Sequence, residues 1–310
     1  MAEPELHPAL LARLQEVANG PAMQTLPVEV VRANLLARYG SLPSAPVGSV
    51  EDRTVSGDRG GLRLRIYRPD LTGPHPVLVF IHGGGFVIGS IETHDALCRQ
   101  LCVGGKVAVV SVEYALAPEH RFPAGLEDSI CAVRWVAGHA HEFGGDARRI
   151  ILGGDSAGAN LAVAGTLQLL DQGEATITGL LLAYPVTDAP NLARPSYTER
   201  GTGFGLTADG MHWFFEHYID RPDRAVDPLV AILRSQRLAD LPATWLLTTE
   251  FDPLRDEGIE FAAKLEAAGV DLTHVHDSSA NHGFLAWAGT NEPSRRALEA
   301  ACAWIGAREC

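Results

Sequence analysis

From residue 76 onward the chain alternates short, continuous apolar bursts with longer amphipathic stretches. The bursts are "PVLVFI" (76–81), "VAVVSVEY" (107–114), "RIILGG" (149–154), "GLLLAYP" (179–185), "ATWLLTT" (243–249) and "VDLTHVH" (270–276). An uninterrupted apolar run of that length suits a strand covered on both faces. Helical spacing over 92–105, 124–140, 157–172, 255–268 and 293–306 supplies the covering layers. The pattern predicts an α/β protein with a mostly parallel central sheet, flanked by helices and wound through right-handed crossovers.

The first 75 residues read differently. "ELHPALLARLQEVANG" and "PVEVVRANLLARYG" space their apolar residues as two short amphipathic helices, stopped near Gly20 and Gly40. "SVEDRTVSG" and "GLRLRIYRP" alternate apolar and polar positions around a glycine-containing turn, the pattern of a half-buried antiparallel hairpin. A second departure lies between "LLLAYP" and "LPATWLLTT", where about fifty residues, including the aromatic "MHWFFEHYI", exceed an ordinary connection. We read 188–238 as an inserted helical segment that joins the helices of 1–45 as a cap. Residues 46–187 and 239–310 then form the main α/β domain.

Composition narrows the function. With 310 residues and 46% apolar content, one large domain with an accessory segment is expected. A net charge of −13 works against nucleic acid or an anionic membrane as partner and favours small molecules. Five cysteines, at 98, 102, 131, 302 and 310, show no CxxC spacing, so neither a disulfide framework nor a zinc site is indicated. The N-terminus has no basic, apolar leader, and no apolar run reaches about 18 residues. These features predict a cytoplasmic protein without membrane anchoring and without a metal.

One of the bursts ends in chemistry. "RIILGG" runs into "DSAGANLA", placing a GxSxG sequence, Gly154 to Gly158, where a strand turns into a helix. In that context Ser156 reads as the nucleophile of a strained elbow, whose flanking small residues let strand and helix approach closely. A serine hydroxyl is a poor nucleophile without a base and a site for the developing oxyanion. Three further stretches offer these.

"HGGG" at 82–85 leaves a predicted strand, and the N–H groups of Gly83 and Gly84, with that of Ala157, are candidates for an oxyanion hole. It is not a dinucleotide loop, since Phe86 and Ile88 break GxGxxG. Asp252 follows the burst "ATWLLTT" at a strand's carboxyl end, where open sheets build their sites. It could equally cap the next helix, while Asp256 and Glu257 fall in that helix's first turn, where acids suit the dipole. His282 lies beyond the last strand, whereas His274 and His276 alternate along it and read as strand residues. The order Ser156, Asp252, His282 is that of α/β hydrolases.

Together "HGGGFVIG", "YALAPEHRFPAGLED", "GDSAGANLA", "DPLRDEG" and "HGF" resemble the hormone-sensitive-lipase-like (family IV) bacterial carboxylesterases, from about residue 70 to the C-terminus. The resemblance implies an α/β-hydrolase fold with a helical cap and no cofactor. It also implies ester hydrolysis, in which Ser156 attacks, His282 relays the proton, Asp252 orients the imidazole and backbone N–H groups hold the oxyanion. Ala115 stands where the family usually has arginine, and Asn281 where an apolar residue is frequent. Pro118, Glu119, His120 and Pro123 read as scaffold, and His82 and Asp155 as supports of the glycine loop.

The expected substrate is a small-molecule ester with a short- to medium-chain acyl group. Phe86, Phe204, Trp213, Phe214 and Phe284 are candidates for the acyl pocket, although "MHWFF" could simply pack the cap onto the sheet. Amide or lactone hydrolysis uses the same machinery, and a non-hydrolytic ligand-binding relative would retain the fold. A homodimer through "VDLTHVH" and the last helix is a further expectation.

Overall fold

The apolar bursts become the strands of one sheet in the computed structural model, which describes residues 3–17, 20–57, 59–174, 177–188 and 192–308. Two N-terminal helices, α1 (Pro8–Val17) and α2 (Val28–Tyr39), precede the hairpin β1 (Ser49–Gly57) and β2 (Gly60–Arg68). The alternating part follows as β3 (His75–Ile81), α3 (Asp95–Gly105), β4 (Ala108–Val112), α4 (Ala124–His139), β5 (Gly145–Asp155), α5 (Ala157–Asp171) and β6 (Ile177–Ala183). Next come α6 (Pro195–Glu199) and α7 (Ala208–Tyr218), and then β7 (Thr244–Phe251), α8 (Arg255–Ala267), β8 (Leu272–Asn281) and α9 (Glu292–Gly306). The sheet order is β1-β2-β4-β3-β5-β6-β7-β8. Strand β2 runs antiparallel to both its neighbours, and from β4 to β8 all pairs are parallel.

Both faces of the sheet are covered, which explains why its strands read as continuous apolar runs. In β3 the pleat sends Val77, Val79 and Ile81 into the core shared with α4, α5 and α8. Leu78 and Phe80 go into the core shared with α3 and α9. Strand β6 divides in the same way, Leu180 and Leu182 against Leu181 and Ala183.

The insert adds to this core rather than forming one of its own. Met211, Trp213, Phe214, Phe215 and Tyr218 of α7 are buried in the same cluster as Val79, Ile81 and the helices behind them. Val31 of α2 belongs to that cluster, while Leu10 of α1 joins the opposite one. Arg32 fastens α2 to the main fold, donating to Val87 O and Ala117 O (both 2.9 Å) and pairing with Glu119 (2.8 Å). Residues 189–191 of the expected insert, 18–19 of the first helix and Cys310 lie outside the described residues.

One boundary differs from the sequence reading. Strand β8 does not stop near His276 but continues to Asn281, although "DSSAN" has the composition of a turn. A register shift between Thr249 and Phe251 lets the pairing resume at Phe251 and Asn281. On the same stretch Ser279 O accepts the His7 N–H at 2.9 Å, a partner no local pattern reveals. The extension delivers His282 at the strand's carboxyl end, close to the end of β7.

Candidate active site

At the end of β5 the backbone reverses within one residue. Ser156 sits at φ 55°, ψ −119°, a conformation that costs an ordinary residue about 1–3 kcal/mol and is sustained by its surroundings. Its N–H donates to Ala183 O at 2.8 Å and its carbonyl accepts the Asn160 N–H at 3.2 Å, so the turn is tied to both β6 and α5. The flanking glycines are required by space. A Cβ on Gly158 would lie 1.9 Å from Ile81 O, and one on Gly154 2.3 Å from the same atom.

His282 Nε2 lies 2.9 Å from Ser156 Oγ, and His282 Nδ1 lies 2.7 Å from Asp252 Oδ2. Asp252, just past β7, is 1% exposed and accepts the Leu254 N–H on Oδ1 (2.8 Å) and the Thr249 hydroxyl on Oδ2 (3.1 Å). Asp252 Oδ1 thus holds the turn ahead of α8 while Oδ2 faces His282; it is not the cap of that helix, whose N-cap residue is Leu254. Tyr184, directly after β6, packs its ring 4.7 Å from the His282 ring. A hydroxyl, an imidazole and a buried carboxylate in this order can pass a proton from oxygen to nitrogen while the carboxylate holds the ring's orientation and tautomer.

The glycine loop is held from behind, and this corrects one sequence expectation. The Gly83 N–H donates to Asp155 Oδ1 at 2.9 Å, and Asp155 Oδ2 occupies the space that a side chain on Gly83 would need. Gly83 is therefore spent on the loop's support and is not an oxyanion donor. Among the described residues no acceptor engages the N–H groups of Gly84, Gly85 or Ala157. Two successive peptide planes are clamped: Tyr114 donates its hydroxyl to His82 O (3.0 Å) on the plane that carries Gly83 N–H, and His82 Nδ1 donates to Gly83 O (2.8 Å) on the next. That second plane carries the Gly84 N–H, whose direction is thereby fixed. Gly84 itself has φ 124° and could bear no Cβ, which would meet Ile88 O at 2.1 Å.

Buried charge underlies this support. Burial pushes the His82 imidazole down to about 3, reinforced by neighbouring His94, so the ring is neutral at ordinary pH. Burial acts to raise the Asp155 carboxyl, but His94 (Nε2 to Oδ1 3.2 Å), the Gly83 N–H and His82 outweigh it and hold the group below its ordinary value.

The aromatic candidates separate. The Phe214 ring lies where a Cβ on Gly85 would be, 2.2 Å from that position, and so walls the glycine loop. Phe86 stacks on Tyr218 at 3.8 Å, and Trp213 meets Phe214 edge-on at 5.3 Å. Phe204 is half-buried, 5.0 Å from Phe251, and its carbonyl accepts from Asn281 Nδ2 at 2.9 Å. Phe284 is fully buried in the α3 and α9 core, 6.1 Å from Tyr184; its side chain is core, which removes it from the pocket candidates.

Other titratable candidates lie elsewhere. His274 and His276 both engage Thr248 Oγ1 at 2.9 Å. Asp256 accepts the Ser196 N–H at 2.8 Å, and Glu257 accepts those of Thr187 (2.7 Å) and Asp188 (3.3 Å), fastening the insert to α8. Sequence reasoning missed Thr249, Tyr184, His94 and Gly85. Only Thr249, three residues before an acid at a strand end, carried a local signal.

Residues 78–286 match the alpha/beta hydrolase fold family, and the chain belongs to it. A carboxylesterase of Mycobacterium tuberculosis, NlhH, is 38% identical over 266 residues, spanning 84% of this chain and 83% of its own. An ethyl acetate hydrolase of Pseudomonas putida is 34% identical and covers 90% of this chain and 92% of its own. Among solved structures, a hyperthermophilic esterase of the archaeon Pyrobaculum calidifontis superposes with a TM-score of 0.92 at 36% identity, covering 98% of each chain. The resemblance drawn from the motifs therefore holds. Among the described residues no helix is long and apolar enough to cross a membrane.

Proposed function

We propose that this carboxylesterase hydrolyses short- to medium-chain acyl esters through an acyl-enzyme on Ser156. The observation that carries the reading is the unbroken path from Ser156 Oγ to His282 Nε2 (2.9 Å) and from His282 Nδ1 to Asp252 Oδ2 (2.7 Å). His282 takes the Ser156 proton as Oγ attacks the ester carbonyl, and Asp252 stabilises the imidazolium that forms. The C=O π pair moves onto oxygen, where the N–H groups of Ala157, Gly84 and Gly85 receive it. Collapse expels the alcohol, which takes the proton from His282. Water, deprotonated by the same imidazole, then attacks the acyl carbon; the acyl–Oγ bond breaks, His282 returns the proton to Ser156 Oγ and the acid is released.

The helices of 1–45 and the 188–238 insert act as the cap, with Phe214 on Gly85 forming the wall that the acyl chain meets first. The ethyl acetate hydrolase among the relatives supports a short acyl group. Cys98, Cys102 and Cys302 are free thiols, which supports a reducing, cytoplasmic setting. Strand β8 is one edge of the sheet and, with α9, the face through which two copies would pair. A panel of p-nitrophenyl esters of two to twelve carbons, run beside matched anilides and lactones, tests the reading. Turnover should peak among the shorter esters; a preference for anilides or lactones, or none of the panel turned over, would overturn it.

A further inference from the structure

His94 has no part in the proton path, yet it lies almost completely buried one hydrogen bond behind the glycine loop. Its Nε2 meets Asp155 Oδ1 at 3.2 Å, on the same oxygen that accepts the Gly83 N–H at 2.9 Å. Its Nδ1 meets Thr93 Oγ1 at 2.9 Å, and that hydroxyl is itself fixed, accepting the Ser90 N–H (2.9 Å) and donating to Ser90 O (2.9 Å). The ring is therefore held from both sides, in the turn that leads into α3. On one face it lies 5.4 Å from the ring of His82, whose Nδ1 fixes the peptide plane bearing the Gly84 N–H.

Asp155 is the residue before Ser156, so its carboxylate couples the elbow to the glycine loop. A carboxylate has two oxygens and free rotation about its side chain; one N–H from Gly83 does not by itself choose its orientation. A second donor on the same oxygen does. We propose that His94 is a positioning residue: by donating from Nε2 to Asp155 it fixes the carboxylate that holds Gly83, and so aims the N–H groups of Gly84 and Gly85 at the reacting oxygen. The proposal rests on the reading of Ser156 as nucleophile and of these N–H groups as oxyanion donors.

The test compares two substitutions. His94→Leu removes the donor, whereas His94→Gln places an amide N–H close to the position of Nε2. Deleting an oxyanion donor typically costs about 10²- to 10³-fold in rate, so misaiming the donors should cost about 10- to 100-fold. For p-nitrophenyl acetate, His94→Leu should lower kcat by that factor with KM held within about two-fold. It should weaken binding of a trifluoromethyl ketone transition-state analogue in parallel, and His94→Gln should recover most of both.

Unchanged kcat and analogue affinity in His94→Leu would overturn the role, as would equal losses in both variants that track their melting temperatures. If His94→Leu does not fold, Asp155→Leu and Asp155→Asn make the same comparison. The asparagine keeps an acceptor for Gly83 and His94 and should retain more activity than the leucine; equal losses in the two, or no loss, would overturn the proposal. Failure of a fluorophosphonate to label Ser156 in the wild-type protein would instead refute the underlying reading of the site.

Discussion

Replacing Glu257 with glutamine should make the protein more stable at pH 8 than the wild type, and the gain should shrink as the pH falls. Glu257 is fully buried at the start of α8, and burial pushes its carboxyl up to about 7 from an ordinary 4.5, against the N–H groups of Thr187 and Asp188 and the charge of Arg194 that favour the anion. The folded state thus binds the proton more tightly than the unfolded chain does. Between 4.5 and about 7 the native state carries more protons, so this group's contribution to stability falls as pH rises through that window and is level above it. A gap of this size corresponds to about 3 kcal/mol, most of which falls between pH 5 and pH 8. Unfolding entropy of about 2.1 cal/mol/K per residue over 310 residues turns that into roughly 4 °C. Glutamine keeps an acceptor for the Thr187 and Asp188 N–H groups and can meet the Tyr197 hydroxyl, which lies 3.3 Å from Oε2. Melting temperatures of the two proteins at half-unit steps from pH 5 to pH 8 should diverge by roughly 4 °C, the variant gaining toward pH 8. Parallel curves, or a variant less stable throughout, would refute the reasoning.

Thr249→Val removes the hydroxyl that donates to Asp252 Oδ2 and leaves the side-chain shape unchanged. A hydrogen bond to a buried carboxylate is worth about 1.5–3 kcal/mol, so steady-state assays should show kcat lower by roughly 10-fold at an unaltered KM; wild-type kcat would remove Thr249 from the site. Gly158→Ala forces a methyl against Ile81 O and His82 O, both backbone atoms in the buried layer between β3 and α5. Such overpacking costs about 3 kcal/mol, and calorimetry should find a melting point lower by about 5 °C together with loss of esterase activity. A variant as stable as the wild type would show that the elbow has slack.

The fold was largely readable because periodicity is local. Strands covered on both faces are uniformly apolar, and helices begin at capping side chains that are visible locally, as Thr207 caps the N-terminus of α7 and Asn291 that of α9. What was hidden depended on partners distant in sequence. The extension of β8 needs β7 and His7, and Phe284, two residues from His282, turns into the core because the short helical turn 284–287 packs toward α3 and α9. Gly83 and Gly84 are indistinguishable in "HGGG"; only the carboxylate of Asp155, 72 residues away, tells a structural N–H from an open one. Asp128, whose Oδ2 accepts the Ala115 N–H at 2.8 Å, receives a guanidinium from Arg59 at the tip of the β1–β2 hairpin. Asn281 in turn uses its amide to join Phe204 O and His282 O, contacts that an apolar side chain could not make.

Ser156→Ala tests the central claim most directly, because it removes one oxygen from a buried position and leaves the elbow backbone intact. Turnover of p-nitrophenyl butyrate should disappear and a fluorophosphonate should no longer attach, while the melting temperature stays within about 2 °C of wild type. Wild-type turnover in a pure, folded Ser156→Ala sample would contradict the account.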